Sequence, residues 1–184
     1  MANFVEYNAN YYNNDIGDCV VRAISMGTNI GYVTICKMLH KEFKKGFGML
    51  GSGVSLEEID KFAKETKFIS LYDQDSRYVN WLNDKSNKEE LRVNFGLPLE
   101  LWMENVKSGR YVVSTRKPTL DKKEAAKDIH MVYVNCNTQK YYDRFCNKYQ
   151  GSKFVLTDVF KDRYGKYHND VIYEIIFEQE GENG

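Results

Sequence analysis

Apolar residues recur at helical spacing through the first part of the chain and at strand spacing through its last third. The stretch from Asn13 to Ser25, N-N-D-I-G-D-C-V-V-R-A-I-S, sets the first element. Asp18 has the side chain to cap a helix, Cys19 falls in its first turn, and Val20, Ala23 and Ile24 repeat toward a core. Gly27 is placed to stop it. A second helix is predicted from Tyr32 to Lys44, with Val33, Ile35, Cys36, Leu39, His40 and Phe43 forming a broad apolar face. Ser55-Leu56-Glu57-Glu58 has the capping-box pattern, and Leu56, Ile59, Phe62 and Ala63 carry a third helix to about Glu65. Leu99 to Val106 reads as a further helix, with Gly109 ending it.

Strand patterns dominate after Gly109. Tyr111 to Thr115 is a β-rich run, Ile129 to Val134 a second, and Lys140 to Phe145 a third, with a turn over Asn135 to Gln139. Phe154 to Phe160 and Val171 to Phe177 add two more around the polar turn Lys161 to Asp170. Earlier in the chain, Phe68 to Tyr72 suits a strand, and Phe4, Val5 and Tyr7 form an arm or short edge strand. Gly46 to Gly53 is glycine-rich but lacks the Lys-Ser/Thr ending of a phosphate-binding loop, so it reads as a connection. The segments Asp73 to Glu90 and Arg116 to Asp128 are polar, the second of them a hairpin tip. Helices first and an antiparallel sheet afterwards give the α+β class, with N-terminal helices packed on a C-terminal sheet. One domain over residues 1–184 is expected, with a tail that frays from about residue 179.

Composition narrows the partners. A length of 184 residues, 42% of them apolar and only two of them proline, is enough to build a sizeable core. Lys+Arg and Asp+Glu both total 26, so no net charge draws the chain to nucleic acid or to an anionic membrane. The 14 tyrosines and 10 phenylalanines therefore read as packing rather than as base-stacking platforms. No run approaches the length needed to cross a bilayer, and the N-terminal residues lack the charged-then-apolar order of a secretory signal. Four cysteines, Cys19, Cys36, Cys136 and Cys146, form no closely spaced framework, so free thiols in a reducing cytoplasm are expected.

Among those thiols, Cys19 has the setting for chemistry. At a helix start, unpaired N–H groups and the helix dipole favour the thiolate, which is the nucleophilic form. A small buried hydrophobe is the competing reading. His130 opens an apolar strand, and alternation puts Val132 and Val134 on its face with Met131 and Tyr133 opposite. Thirteen residues later Asp143 lies in Y-Y-D-R-F on the neighbouring strand, near the same end of the hairpin. A carboxylate there would fix the imidazole's orientation, completing a nucleophile, base and orienter; its competing partners are Arg144 and Arg110. Cys36 with His40, or Cys136 and Cys146 with His130 and His168, match no zinc spacing, and no cofactor or metal is implied.

The order of a cysteine on a helix start, a histidine on a later strand and a carboxylate or amide on the next resembles the papain-like cysteine peptidases. The nearest likeness is to the bacterial branch with leader-peptidase domains and to small phage and bacterial proteins with a D-C-x-x-R-A-I segment. The resemblance covers the first helix and the section from Tyr111 to Phe145. It implies a papain-like fold and a Cys19–His130–Asp143 triad. It also implies an oxyanion donor six residues before the nucleophile, where Asn13 stands in place of the usual Gln. The implied activity is hydrolysis of a peptide or amide bond in a peptide or protein substrate, in a phage or bacterial accessory protein. The second reading keeps the fold without the activity, as a binding or inhibitory protein against a host or defence component.

Overall fold

A computed structural model of the chain describes residues 3–6, 19–40, 54–71, 97–116, 130–143, 154–156 and 172–180. Four helices and eight strands lie within them: α1 (Cys19–Thr28), α2 (Tyr32–His40), α3 (Leu56–Thr66) and α4 (Leu99–Val106), with β1 (Asn3–Glu6), β2 (Ile69–Leu71), β3 (Leu97–Pro98), β4 (Arg110–Arg116), β5 (His130–Asn135), β6 (Lys140–Asp143), β7 (Val155–Leu156) and β8 (Ile172–Ile175). The protein is thus a mixed helix-and-sheet fold, compatible with the α+β class.

The helix ends reveal what local signals do and do not decide. Ser55 accepts a hydrogen bond from the Glu58 backbone N–H at 3.2 Å, so α3 starts on the expected cap. Lys67 closes that helix in the left-handed region at φ 56°, its N–H donating to the Ala63 carbonyl. Lys107 does the same for α4 at φ 68°, two residues before the glycine expected to end it. Gly109, at φ 96°, instead takes the turn into β4. Gly27 does not stop α1 either. It lies inside the helix, where an added Cβ would fall 1.9 Å from Ile175 Cδ1, and the chain leaves the helix at Asn29 with φ 58°. A glycine near a helix end was needed for close approach to β8, and asparagine tolerates the left-handed turn.

One eight-stranded sheet runs β1-β6-β5-β4-β7-β3, with β8 also pairing β4 and carrying β2 on its far side. The central β4–β5 pair is antiparallel from Arg110 opposite Asn135 to Thr115 opposite His130. The expectation of a purely antiparallel sheet is corrected at its edge: β1 joins β6 in parallel, Asn3 to Glu6 matching Lys140 to Asp143. Hydrophobic pattern alone does not reveal strand direction, because side chains alternate identically in both pairings.

Two apolar clusters cover the two faces of the sheet. Val20, Val21, Ile24, Ile35, Ile59 and Phe62 from α1, α2 and α3 pack against Val112, Met131, Tyr133 and Ile175. On the other face Leu99, Trp102, Met103 and Val106 of α4 cover Tyr111, Val113, Val132 and Val134. Burying a side chain such as Ile24 fully is worth about 1.5–3 kcal/mol. The far end of α1 is pinned as well: Arg110 Nη1 donates to the Gly27 carbonyl at 2.8 Å, and the Gln179 N–H donates to the Thr28 carbonyl at 2.7 Å. A cation at a helix C-terminus also meets the negative end of the helix dipole. Packed at one end and tied at the other, α1 holds its first residue in a fixed place.

The domain boundary, the fraying tail, the glycine-rich connection, residues 41–44 of the predicted second helix and the two polar segments fall wholly or largely outside the described residues.

Candidate active site

Cys19 is the first residue of α1 and is partly exposed. The pattern that buries Val20, Val21, Ala23 and Ile24 against β5 fixes the helix from inside, so Cys19 is delivered to the start of that strand. His130 is the first residue of β5, and its backbone carbonyl accepts a 2.8 Å hydrogen bond from Thr115 Oγ1 on β4. Thr115 is fully buried. It ties the strand end where the imidazole departs.

Asp143 ends β6. The β5–β6 register runs from Asn135 opposite Lys140 to Tyr133 opposite Tyr142. Continuing it one step sets Asp143 opposite Val132, on the same face as His130 and diagonal to it. Diagonal neighbours stand about 7–8 Å apart at Cα, within reach of a long side chain. His130 Nε2 accordingly lies 2.9 Å from Asp143 Oδ2, with both side chains largely shielded from water. A hydrogen bond and the attraction between charges both join the pair. Of the competing partners, Arg110 serves Gly27 and, at 3.2 Å, Glu178, while Arg144 lies outside the described residues.

By alternation His130 belongs to the α4 side of the sheet, whereas α1 lies on the opposite side. The thiol and the imidazole meet because both stand at the end of β5 rather than across its middle. Cys19 is hydrogen-bonded to the His130 side chain and to the Met131 backbone N–H. With Nε2 at the carboxylate, Nδ1 is the ring nitrogen left for the thiol.

The electrostatics follow from these contacts. Burial raises the Cys19 pKa, but the imidazole, the Met131 N–H and the charge of Arg22 outweigh it, and the thiol is held below its ordinary value. Burial likewise disfavours the imidazolium, yet Asp143 and Cys19 overcome it and push His130 up to about 9. The two shifts stabilise the same state, a thiolate beside an imidazolium. Phe154 lies over the imidazole with ring centroids 6.0 Å apart and planes 19° from parallel. Tyr141 meets Phe154 edge-on, and Phe4 of β1 meets Tyr141 in turn. An aromatic file therefore runs from the sheet edge to the imidazole.

Of the four residues singled out from the sequence, Cys19, His130 and Asp143 come together; Asn13 lies outside the described residues, as do Asp18, Cys146 and His168. Arg22, Thr115 and Phe154 were not foreseen. The three-residue step from Cys19 to Arg22 was a usable signal; the other two needed strand register and chain packing. Cys36 and Cys136 are fully buried, and among the described residues no group of three or more His, Cys, Asp or Glu side chains could hold a metal ion. Among the same residues no helix is long and apolar enough to cross a membrane.

Comparison with models of protein families, with curated proteins and with solved structures gives no match in any of the three.

Proposed function

We propose that the protein is a papain-like cysteine hydrolase that cleaves a peptide or amide bond in a peptide or protein substrate. The observation that carries this reading is the line of three groups at one strand end: a thiol bonded to an imidazole that stands 2.9 Å from a buried carboxylate. In the reaction, Cys19 Sγ attacks the substrate carbonyl carbon, and the C=O electron pair moves to oxygen. The Cys19 N–H, at the helix start, and the Asn13 side chain donate to that oxyanion. Collapse breaks the C–N bond as His130 gives its proton to the leaving amine, leaving a thioester. His130 then takes a proton from water, the hydroxide attacks the thioester, and the C–S bond breaks to return the thiolate. Asp143 keeps the ring oriented and offsets its charge throughout. A cytoplasmic setting, in which the thiol stays reduced, suits this chemistry.

A second reading, the same fold used as a binding or inhibitory protein against a host or defence component, draws on another observation. Leu71, Ile176 and Phe177 are 40%, 59% and 40% exposed where β2 meets β8, a place where a partner protein would gain apolar contact.

Alkylation of Cys19 by iodoacetamide as a function of pH, read by mass spectrometry, tests the first reading. Labelling at pH 6 is expected to be fast and to fall about 10- to 100-fold in His130→Ala. Slow labelling that His130→Ala leaves unchanged would shift the assignment to the binding protein.

A further inference from the structure

Arg22 has no part in the steps above, yet it is a charged side chain committed to the inner side of α1. It stands three residues after Cys19, so the two share a helix face one turn apart. Helical side chains lean toward the N-terminus, which lays the long stem of Arg22 over the turn that begins with Cys19. The residue is only 8% exposed, and its Nε and Nη1 are closed to solvent. A guanidinium does not shed its proton in proteins, so this is a permanent cation in a space that salt screens poorly.

We propose that Arg22 is a positioning residue, a second cation that holds the Cys19 thiolate independently of His130. The proposal rests on the reading of Cys19 as the nucleophile. The other ionisable groups of the described elements around α1 divide clearly. His130 and Asp143, from β5 and β6, are the pair already placed with Cys19. Arg110 of β4 is bound at the far end of the helix, where it also meets Tyr133 of β5. On α2, Tyr32 and Cys36 are buried in the core and Lys37 is exposed, and on α3 the Oε2 of Glu58 is closed to solvent. Among the described residues Arg22 is therefore the fixed cation that shares the turn of the thiol, and it acts to lower the Cys19 pKa alongside the imidazole.

The physical need is specific. His130 is charged when the sulfur attacks and again when the C–S bond breaks, but that charge depends on a proton the imidazole passes on. A fixed guanidinium supports the thiolate at both moments without depending on that proton.

The test is the pH midpoint of Cys19 alkylation in the native protein, Arg22→Met, Arg22→Lys and His130→Ala, with folding followed by circular dichroism. Arg22→Met is expected to raise the midpoint by about one unit, and Arg22→Lys to restore most of that shift. Superimposed native and Arg22→Met profiles would overturn the proposal, as would an Arg22→Lys profile matching that of Arg22→Met. Should Arg22→Met not fold, His130→Ala decides. With Arg22 in place its midpoint is expected at or below the ordinary thiol value of about 8.5, and a midpoint above that value would overturn the proposal. Slow labelling of native Cys19 at pH 6 would instead remove the hydrolase reading, while the difference between native and Arg22→Met still judges Arg22.

Discussion

The two ends of β5 carry two cysteines under opposite electrostatics. At the start of the strand Cys19 abuts His130, and its thiol is pulled below the ordinary value despite burial. Just past the other end Cys136 is fully buried among Trp102, Met103 and Val106, and burial alone pushes its thiol up to about 12. Both ends are well tied. The Cys136 N–H donates to Gly109 and its carbonyl accepts from Gln139 Nε2, while Thr115 holds the carbonyl of His130. Rigidity is therefore common to both sites, and the difference lies in what faces the sulfur. Low dielectric by itself protonates a thiol; low dielectric with a cation in contact ionises it.

The largest expected effect is the contrast itself. At pH 7 in the native protein, Cys19 should alkylate at least about a thousand times faster than Cys136, whose thiolate fraction near that pKa is about one in a hundred thousand. Site-resolved mass spectrometry of a timed labelling series reads the ratio, and comparable rates would break the comparison.

A smaller effect isolates the imidazole. With sulfur removed in Cys19→Ala, Asp143 still raises the folded pKa of His130 above its unfolded value near 6.5. A raised pKa contributes stability that is fully present below the unfolded value and is lost as pH rises through the folded one, which is about 9 with the thiol in place. Cys19→Ala should therefore lose about 1–2 kcal/mol between pH 6 and pH 9, compared with Cys19→Ala/His130→Ala in urea melts. Parallel curves for the two proteins would mean that Asp143 does not hold the imidazole.

The third concerns the tie at the His130 end. Thr115→Val keeps the shape but removes the donor to the His130 carbonyl, at a cost of about 1 kcal/mol in thermal or urea unfolding. Cys19 labelling at pH 6 should slow in the same variant because the strand end loosens, while Cys136 stays unreactive. An unchanged Cys19 rate would show that the tie serves stability alone.

How far the site could be read in advance depended on which residues carried a local signal. Ser55 with Glu58 announced the start of α3, and the span of α4 from Leu99 to Val106 followed from its apolar spacing. Cys19 at a helix start and His130 at a strand start were legible for the same reason, since each sits where the pattern changes period. Gly27 misled, because the signal of a helix stop and the need for close packing against Ile175 are both written as glycine. The parallel place of β1 was hidden, since alternation has no direction. Phe154 and Thr115 had no local mark at all.

The amino-acid order by itself determined the helical face that drives α1 inward, the strand alternation that puts His130 with Val132 and Val134, and the chemical types available at the junctions. Tertiary structure decided that these junctions coincide. The β5–β6 register made Asp143 diagonal to His130, and the packing of α1 against β5 brought its first turn to the strand end. The reason is physical. Periodicity is a property of neighbours along the chain, whereas a thiol's acidity is set by charges within a few ångströms in space, whatever their distance in sequence.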